Sequence, residues 1–395
     1  MKIRDKQLKI AIIAGEESGD LLGADLVRAL TARSGRAVEL IGVGGSHLES
    51  LGLKSLIDPN DIALMGLGEV IAKIPRLLKQ IGFLSRYICG QKPDCLIVID
   101  SPDFTHRVAK KVKAVNPDIP IIQYVAPSVW VWRPQRAANM AKFIDHVLVV
   151  LPFEERVMAE LGGPPTTYVG HRLVGDENIR SIQLKRAHQS SAPSDHPLLV
   201  ILPGSRKYEV EKLMPIFGEA TAALKRDLPN LRIILPTLER IATKVKELAE
   251  QWEIQPTIVT TAEQKWQAFS EADVAMAASG TVSLELALCS IPMVLCYKVD
   301  IFSKLFLLPK IKIWSAALPN IITDEPIVPE MFNETLKSAR LVHQLKYLLK
   351  NGPARLAQLE GFAKVRMMMA INGSSGMIGA EVILKMLSSQ ASSNS

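Results

Sequence analysis

Short apolar runs alternate with longer segments of helical periodicity along most of the chain. After the first run and a glycine-containing turn, Leu22, Leu26 and Leu30 recur at the spacing of one helix face. This alternation predicts parallel β-sheets covered by helices. The predicted strands are residues 9–13, 38–43, 94–99, 121–125, 146–151, 197–202, 231–236, 273–277 and 292–298.

A polar segment interrupts this alternation near the middle of the chain. Residues 185–197, KRAHQSSAPSDHP, have the serine and proline content of a linker. We therefore predict an N-terminal α/β domain over residues 1–185 and a C-terminal one over 186–365. The ligand site is expected in a cleft between them, at the carboxyl ends of strands. Residues 366–395 are predicted to form a C-terminal helix, with the N-terminal domain as one place for it to pack, and a disordered tail.

Composition narrows the class of protein. Of 395 residues, 48% are apolar and 22% are charged, as in ordinary folded domains. The net charge of +7 is small, and the basic residues are dispersed along the chain, which disfavours a nucleic-acid binder. Four cysteines without a CxxC pair or a histidine cluster indicate neither a zinc site nor a disulfide framework, and they fit a reducing cytoplasm. No segment has the ~18 uninterrupted apolar residues of a spanning helix.

Carboxylates occur in the first loop that follows a predicted strand. The loop AGEESGD carries Glu16, Ser18 and Asp20. One interpretation is an ordinary turn in which Asp20 caps the next helix. The other is a pair of adjacent carboxylates that accept hydrogen bonds from sugar hydroxyls or from the helix N-terminus. The residues alone leave both open.

A second acidic loop, IDSPDF, follows the strongly apolar run 94–99. A carboxylate at the end of a buried parallel strand lies where open sheets hold their ligands, so it suits a general base. We predict Asp100 as the base and Asp103 as a helix cap, with capping alone as the alternative. The next loop holds Trp130 and Trp132 in YVAPSVWVWR. Alternate tryptophans on a strand make an aromatic wall for sugar rings or acyl chains, and two core tryptophans are the alternative.

The second half of the chain carries candidate phosphate-binding loops but neither GxxxxGK[ST] nor a complete GxGxxG. Arg206 follows the run 197–202 in LPGSR, and its guanidinium suits a diphosphate. The segment ASGTVSLE follows the run 273–277 and opens a helix, where small residues let a phosphate approach free N–H groups. Glu285, about one turn further, is placed to accept hydrogen bonds from ribose hydroxyls. Together these loops predict a bound nucleoside diphosphate.

The combination AGEESGD, IDSPDF, YVAPSVWVWR, YVGH, LPGSRKYEV, ASGTVSLE, LPNII and VPE resembles the lipid-A-disaccharide synthases. These are inverting glycosyltransferases of the GT-B type, with two Rossmann-like α/β domains facing a cleft. The resemblance implies transfer of 2,3-diacylglucosamine from UDP to the 6-hydroxyl of 2,3-diacylglucosamine 1-phosphate (lipid X). The products are the β-1,6-linked lipid A disaccharide 1-phosphate and UDP, in lipopolysaccharide biosynthesis.

The resemblance also implies roles for single residues. Asp100 matches the catalytic base, and the loop with Glu16, Ser18 and Asp20 lies beside the acceptor. The positions around UDP are Arg206, Ser279, Gly280, Thr281, Glu285 and Asn320. No metal or cofactor is expected, because arginine and a helix N-terminus stabilise the departing diphosphate. The chain departs from the family's commonest residues at Glu17, Thr105, Arg172 and Asn333.

Acylated substrates require contact with a membrane, and two segments are candidates for it. Residues 74–88 form a basic amphipathic helix, and residues 301–314 combine apolar side chains with lysines. The residues predicted to contact acyl chains or the membrane are Ile74, Leu77, Leu78, Ile81, Leu84, Leu305, Phe306 and Leu307. For 74–88 the favoured alternative is a core-facing helix with a solvated basic face. We expect a cytoplasmic protein, peripheral on the anionic inner face of the inner membrane, with an oligomer left open.

Two rival functions remain at this point. Another UDP-sugar enzyme of the same architecture, such as an epimerase, would share the nucleotide half, but IDSPDF and PSVWVW argue against it. A catalytically idle nucleotide-sugar binder or membrane scaffold is the other, and intact Asp100 and Arg206 count against that.

Overall fold

The computed structural model of the protein describes residues 7–62, 67–188, 191–298 and 313–393, with the backbone alone for 67–73 and 390–393. The strands are β1 Leu8–Ala14, β2 Val38–Val43, β3 Cys95–Ile99, β4 Ile121–Tyr124, β5 His146–Val149, β6 Thr166–Tyr168, β7 Leu198–Leu202, β8 Arg232–Pro236, β9 Thr257–Val259, β10 Val274–Ala278, β11 Met293–Tyr297 and β12 Glu330–Phe332. The α-helices are α1 Glu17–Ser34, α2 Ser46–Glu49, α3 Leu67–Gln91, α4 Pro102–Val115, α5 Gln135–Met140, α6 Glu154–Glu160, α7 Glu177–Ala187, α8 Lys207–Asp227, α9 Glu239–Ala249, α10 Ala262–Glu271, α11 Thr281–Leu288, α12 Leu318–Thr323, α13 Ser338–Leu348, α14 Pro353–Met369 and α15 Ser375–Ser393. Short 3₁₀ turns cover Pro59–Asp61, Arg172–Gly175 and Asn333–Thr335.

The chain folds as two compact units, each built on a parallel six-stranded sheet. Unit 1 comprises Met1–Arg172 and Ile371–Ser395, and unit 2 comprises Leu173–Ala370. The strand order is β2-β1-β3-β4-β5-β6 in unit 1 and β12-β11-β10-β7-β8-β9 in unit 2. The predicted Rossmann-like α/β fold is therefore confirmed. No helix in the described ranges is long and apolar enough to cross a membrane.

Strand β1 shows how the sheet of unit 1 is buried on both faces. Ala11 and Ile13 belong to the hydrophobic core on one face, and Ile10 and Ile12 to the core on the other. Alternate side chains of a strand point to opposite faces, so a strand between two helical layers must be apolar throughout. This explains the uninterrupted apolar run in the sequence.

The boundary between the units lies after Arg172, whereas the composition of the linker placed it near residue 185. The difference arises because α7 packs on unit 2. Gln183 donates to the carbonyl of Leu288, and Arg186 donates to the carbonyl of Phe269. The polar, serine-rich composition of residues 185–197 indicates an exposed loop, but the contacts of the preceding helix, α7, place the start of unit 2 before that loop.

The last helix returns to unit 1. Ser375 Oγ donates to the Gly170 carbonyl at 3.0 Å, and the backbone N–H of Gly376 donates to Asp25 Oδ2 on α1 at 3.0 Å. Ala380 and Ile383 on α15 are fully buried in the core of unit 1. The helix extends to Ser393, where the sequence suggested a disordered tail. The helix before it, α14, belongs to unit 2.

Candidate active site

Ligands of open parallel sheets bind beyond the carboxyl ends of the strands, at the point where the strand order reverses. In unit 1 this point lies between β1 and β3, whose last residues Ala14 and Ile99 are paired in register. The loops that follow these two strands carry Glu16 and Asp100. The two acidic loops predicted from the sequence are thus brought together by the topology of the sheet.

A cavity of about 560 Å³ opens at this point; we call it the unit 1 cavity. One part of its lining is polar and includes Glu16, Asp61, Asp100, Asp103 and Arg107. Another part is apolar and includes Ile74, Leu77, Leu78 and Ile81 of α3. A cavity that places carboxylates beside an apolar wall fits a ligand with a hydroxylated and an apolar portion.

The backbone at Asp100 is held in an unusual conformation. Asp100 and Ser101 have φ values of +52° and +43°, the left-handed region that non-glycine residues adopt only at a cost. Hydrogen bonds fix this turn. The N–H of Asp100 donates to the Tyr124 carbonyl at 3.1 Å, and Thr105 Oγ1 donates to the Asp100 carbonyl at 2.9 Å. Backbone strain that is held in place by surrounding hydrogen bonds is found most often at functional sites.

Glu16 precedes α1 and lies in the same cavity as Asp100. Partial burial raises the pKa of Glu16, and the negative charge of Asp100 raises it further. The residue before Glu16, Gly15, is packed closely against Ile62: a Cβ on Gly15 would come within 2.3 Å of the Ile62 side chain. Glu16 therefore keeps its proton to a higher pH than an exposed glutamate does, next to a second carboxylate.

The side chain of Asp20 makes its hydrogen bonds within the protein. α1 begins at Glu17, earlier than predicted, so Asp20 lies within its first turn and is buried. Its carboxylate accepts hydrogen bonds from the N–H groups of Gly45 at 2.7 Å and His47 at 2.8 Å. Asp20 thus holds the turn before α2. Ser18 is exposed, and neither residue lines the unit 1 cavity.

Helix α3 combines the two alternatives that the sequence left for residues 74–88. Ile74 and Leu78 are 43% and 49% exposed and line the cavity, whereas Leu84 is fully buried in the core. Leu84 is therefore a core residue and not a membrane contact. Asp61 binds this helix through Arg76 Nη2 at 2.7 Å and Gln80 Nε2 at 2.6 Å. The predicted contacts Leu305, Phe306 and Leu307 lie outside the described residues.

The two tryptophans after β4 do not lie on a strand. Residues 129–132 form a turn, so Trp130 and Trp132 do not share one face of a sheet. Trp130 Nε1 donates to the buried Glu154 carboxylate at 3.2 Å, and the Trp130 ring packs edge-to-face on Phe153. Trp132 is partly exposed and is covered by the Arg133 guanidinium at 4.1 Å. The predicted aromatic wall is not formed.

In unit 2 the strand order reverses between β7 and β10. A cavity of about 660 Å³, the unit 2 cavity, lies beyond the ends of these strands. Five of the residues predicted around a nucleoside diphosphate line it: Arg206, Ser279, Gly280, Thr281 and Glu285. The same rule of sheet topology therefore brings together the loop after β7 and the loop after β10.

Helices α8 and α11 both begin at the unit 2 cavity. No side chain caps the N-terminus of α11, which follows Gly280 at φ +152°. At α8, the Glu209 carboxylate accepts hydrogen bonds from the N–H groups of Ser205 and Arg206, and Arg206 Nη1 donates to it at 3.4 Å. A helix N-terminus and an exposed guanidinium favour an anionic ligand.

Lys265 is a lining residue that the sequence analysis missed. It lies in the first turns of α10, and its Nζ forms an ion pair with Glu285 Oε2 at 2.6 Å. The lysine also lies over the rings of Trp266 and Phe269. No motif marks this position; only the neighbouring carboxylate, seen in three dimensions, reveals it.

Asn320 does not line the unit 2 cavity. It is 1% exposed, and its amide is used within the protein: Nδ2 donates to the Val328 carbonyl at 2.9 Å and Oδ1 accepts from the Val328 N–H at 2.8 Å. Asn320 thus fixes the segment before β12. Among the described residues, no group of three or more His, Cys, Asp or Glu side chains is arranged to hold a metal ion.

Comparison with known proteins assigns the chain to a family. The sequence profile described as Lipid-A-disaccharide synthetase matches residues 10–371. The chain belongs to this family. It is similar to the lipid-A-disaccharide synthase of Rhodopseudomonas palustris (strain HaA2), with 42% identity over 90% of each chain. It is also similar to that of Bradyrhizobium diazoefficiens, with 38% identity over 97% of this chain and 98% of the relative.

Solved structures of other proteins share the fold of this lipid-A-disaccharide synthetase family member. A UDP complex of MnaA from S. aureus has a TM-score of 0.58 at 16% identity, covering 96% of this chain and 95% of that one. MurG from Acinetobacter baumannii has a TM-score of 0.57 at 15% identity, covering 96% and 100%. The predicted GT-B glycosyltransferase architecture is thereby confirmed.

Proposed function

We propose that the protein joins 2,3-diacylglucosamine, taken from its UDP donor, to the 6-hydroxyl of 2,3-diacylglucosamine 1-phosphate. The products are the β-1,6-linked disaccharide 1-phosphate and UDP. Membership of the lipid-A-disaccharide synthetase family and the names of its relatives support this reaction. The observation that carries the assignment of residues is the unit 1 cavity, in which Asp100 and Glu16 lie beside the apolar wall of α3.

Asp100 is proposed as the general base. It removes the proton of the acceptor 6-hydroxyl while that oxygen attacks the anomeric carbon from the face opposite UDP, which inverts the configuration. The C–O bond to the diphosphate breaks in the same step, and UDP leaves with the bonding electrons. The strained turn at Asp100 supports this role, because the N–H of Ser101 donates to Asp100 Oδ1 at 2.8 Å and so holds the carboxylate in place before substrate arrives.

Glu16 is proposed to contact the acceptor sugar. Its raised pKa leaves the side chain able to donate a hydrogen bond over a wider pH range than an exposed glutamate can. The apolar wall of Ile74, Leu77, Leu78 and Ile81 is proposed to hold the start of an acyl chain. Since this wall and the carboxylates line one cavity, a single acceptor molecule can occupy both parts.

The unit 2 cavity is proposed to hold UDP. The N-terminus of α11, after Ser279 and Gly280, faces the cavity without a capping side chain, and Arg206 supplies a guanidinium. These groups stabilise the negative charge that develops on the departing diphosphate. Glu285 is proposed to accept hydrogen bonds from the ribose hydroxyls. Asn320 is proposed to act only by holding the segment before β12.

The test is an activity assay of the purified protein with UDP-2,3-diacylglucosamine and 2,3-diacylglucosamine 1-phosphate in detergent, with mass detection of the disaccharide. Asp100→Asn should fold and bind the donor but lose at least about 10³-fold in turnover, in the range expected for a lost general base. Asp118→Asn is the control, because this aspartate is exposed and lies outside the lining of the unit 1 cavity. Equal activity of the two variants would reject Asp100 as the base.

We further propose that the protein is peripheral to an anionic membrane on the cytoplasmic side. The exposed apolar side chains of Ile74, Leu78 and Phe83 on α3 support this, with Arg76 on the same helix. Flotation with vesicles of phosphatidylcholine and phosphatidylglycerol should carry the protein upward at low salt, and less so at high salt. Absence of flotation at either salt concentration would reject the proposal.

A further inference from the structure

Unit 2 has another cavity, of about 530 Å³, that the proposed reaction does not use. Four arginines line it: Arg180 on α7, Arg186 on α7, Arg355 on α14 and Arg366 on α14. Ser191, Ser290 and Gln183 contribute polar groups, and no aspartate or glutamate is among the described residues of the lining. We call it the arginine cavity.

The arginine cavity lies at the opposite edge of the sheet from the unit 2 cavity. Its residues Ser191 and Ser290 precede β7 and β11, respectively, whereas the unit 2 cavity is lined by residues that follow β7 and β10. All strands of this sheet are parallel, so residues before strands and residues after strands lie at opposite ends. The arginine cavity is therefore separate from the proposed nucleotide site.

The guanidinium groups are held in place by carbonyls, which do not neutralise them. Arg355 is 3% exposed and donates to the carbonyls of Ser191, Asp273 and Leu348. Arg186 Nη2 donates to the carbonyls at the end of α10. These bonds use only part of the five N–H donors of each guanidinium. In the described ranges, the buried Nε of Arg186 has no hydrogen-bond partner.

The charge of the cluster is compensated only in part. Burial lowers the pKa of Arg186, Arg355 and Arg366, and the charge of Arg186 lowers that of Arg355 further. The Asp273 carboxylate acts in the opposite direction on Arg186 and Arg355. That carboxylate is itself bound to the N–H groups of Ser194 and Leu198. One carboxylate that acts on two of the four guanidinium groups leaves the cavity with a net positive charge.

We propose that the arginine cavity binds a phosphate-bearing anion. Arginine offers parallel N–H donors that match two phosphate oxygens, and a cavity of this volume accommodates a diphosphate. The phosphate comes either from a free anion or from the headgroup of an anionic phospholipid. Leu184, an exposed apolar residue in the lining, and the exposed Met367 beside Arg366 are compatible with the second source.

The first experiment measures binding of inorganic pyrophosphate by titration calorimetry. The variant Arg180→Gln/Arg366→Gln removes two charges from the cavity and spares the buried Arg355, whose loss would endanger the fold. We expect its affinity to fall at least about tenfold, since each lost charge-assisted hydrogen bond is worth a similar factor. Arg340→Gln, an exposed arginine on α13, should bind like the wild type.

A second variant separates this proposal from the proposed function. With saturating UDP present to occupy the unit 2 cavity, Arg206→Gln, which leaves the arginine cavity intact, should keep the pyrophosphate affinity that the double variant loses. The lipid source is tested by flotation with phosphatidylcholine vesicles with and without phosphatidylglycerol. Pyrophosphate binding lost only in the double variant supports a free anion, and flotation lost only in the double variant supports a headgroup. Equal behaviour of the wild type and the double variant in both experiments would overturn the proposal.

Discussion

Protonation of the buried Glu154 is predicted to make the stability of unit 1 depend on pH near neutrality. Glu154 begins α6, is 4% exposed and accepts hydrogen bonds from the Leu151 N–H at 3.0 Å and from Trp130 Nε1 at 3.2 Å. Burial raises the pKa of Glu154 from 4.5 to about 7, although these hydrogen bonds favour the charged form. The carboxyl group is thus protonated in the folded protein under conditions where it is charged in the unfolded chain.

The sign and size of the effect follow from this difference. Between pH 4.5 and about 7 the folded state binds more protons than the unfolded state, so the free energy of unfolding falls as the pH rises. Each pKa unit corresponds to ~1.36 kcal/mol, which gives about 3 kcal/mol in total. This contribution is fully present below pH 4.5 and is lost as the pH rises through 7.

The assay is urea unfolding of the wild type and Glu154→Gln at about pH 4.5 and at a mildly alkaline pH, followed by the indole NMR signal of Trp130. Glutamine cannot accept both hydrogen bonds, so the readout is how the stability difference changes with pH. We expect the wild type to lose about 3 kcal/mol relative to Glu154→Gln between the two conditions. Glu160→Gln, at an exposed position at the end of the same helix, is the control. A stability difference independent of pH would refute the reasoning.

Three further predictions concern the proposed site and the backbone around it. Lys265→Met removes the 2.6 Å ion pair with Glu285. In steady-state assays the KM for the UDP donor should rise about tenfold, equivalent to ~1.4 kcal/mol, while kcat stays within about twofold. An unchanged KM would contradict a role of Lys265 in positioning Glu285. Leu78→Ser should raise the KM for the acylated acceptor. Phe83→Ser should not raise it, because Phe83 is similarly exposed on α3 but lies outside the cavity lining. Equal effects of the two substitutions would reject the acyl-binding wall. Gly15→Ala places a Cβ within 2.3 Å of the Ile62 side chain. Urea unfolding should show a free energy of unfolding that is lower by about 1–3 kcal/mol. An unchanged value would show that the loop at Gly15 relaxes freely.

The fold could be predicted from the sequence wherever a buried strand requires a run of apolar residues. All nine predicted strands are present, with ends that differ by no more than two residues. The three missed strands, Thr166–Tyr168, Thr257–Val259 and Glu330–Phe332, are three residues long and lie at sheet edges. An edge strand has a neighbour on one side only, and three residues are too few to show a period.

For the site, loops after strands were predictable and residues on helices were not. Glu16 and Asp100 come together because β1 and β3 are neighbours, an order that the alternating pattern alone does not specify. The resemblance placed Asp20 in the loop beside the acceptor and Asn320 around UDP, and in the structure the side chains of both residues bind the backbone. A sequence pattern shows that a polar residue is near a site, but which atom it bonds depends on the direction of the side chain.

The return of α15 to unit 1 has a consequence for the order of folding during synthesis. Unit 1 begins to emerge from the ribosome first, but Ala380 and Ile383, which fill its core against α1, are translated after all of unit 2. Until then Leu26 on α1, whose side chain lies beside Gly379 of α15, lacks part of its cover. The half of the protein that is made first is therefore completed only after the other half, and this part of its core stays open until α15 has been made.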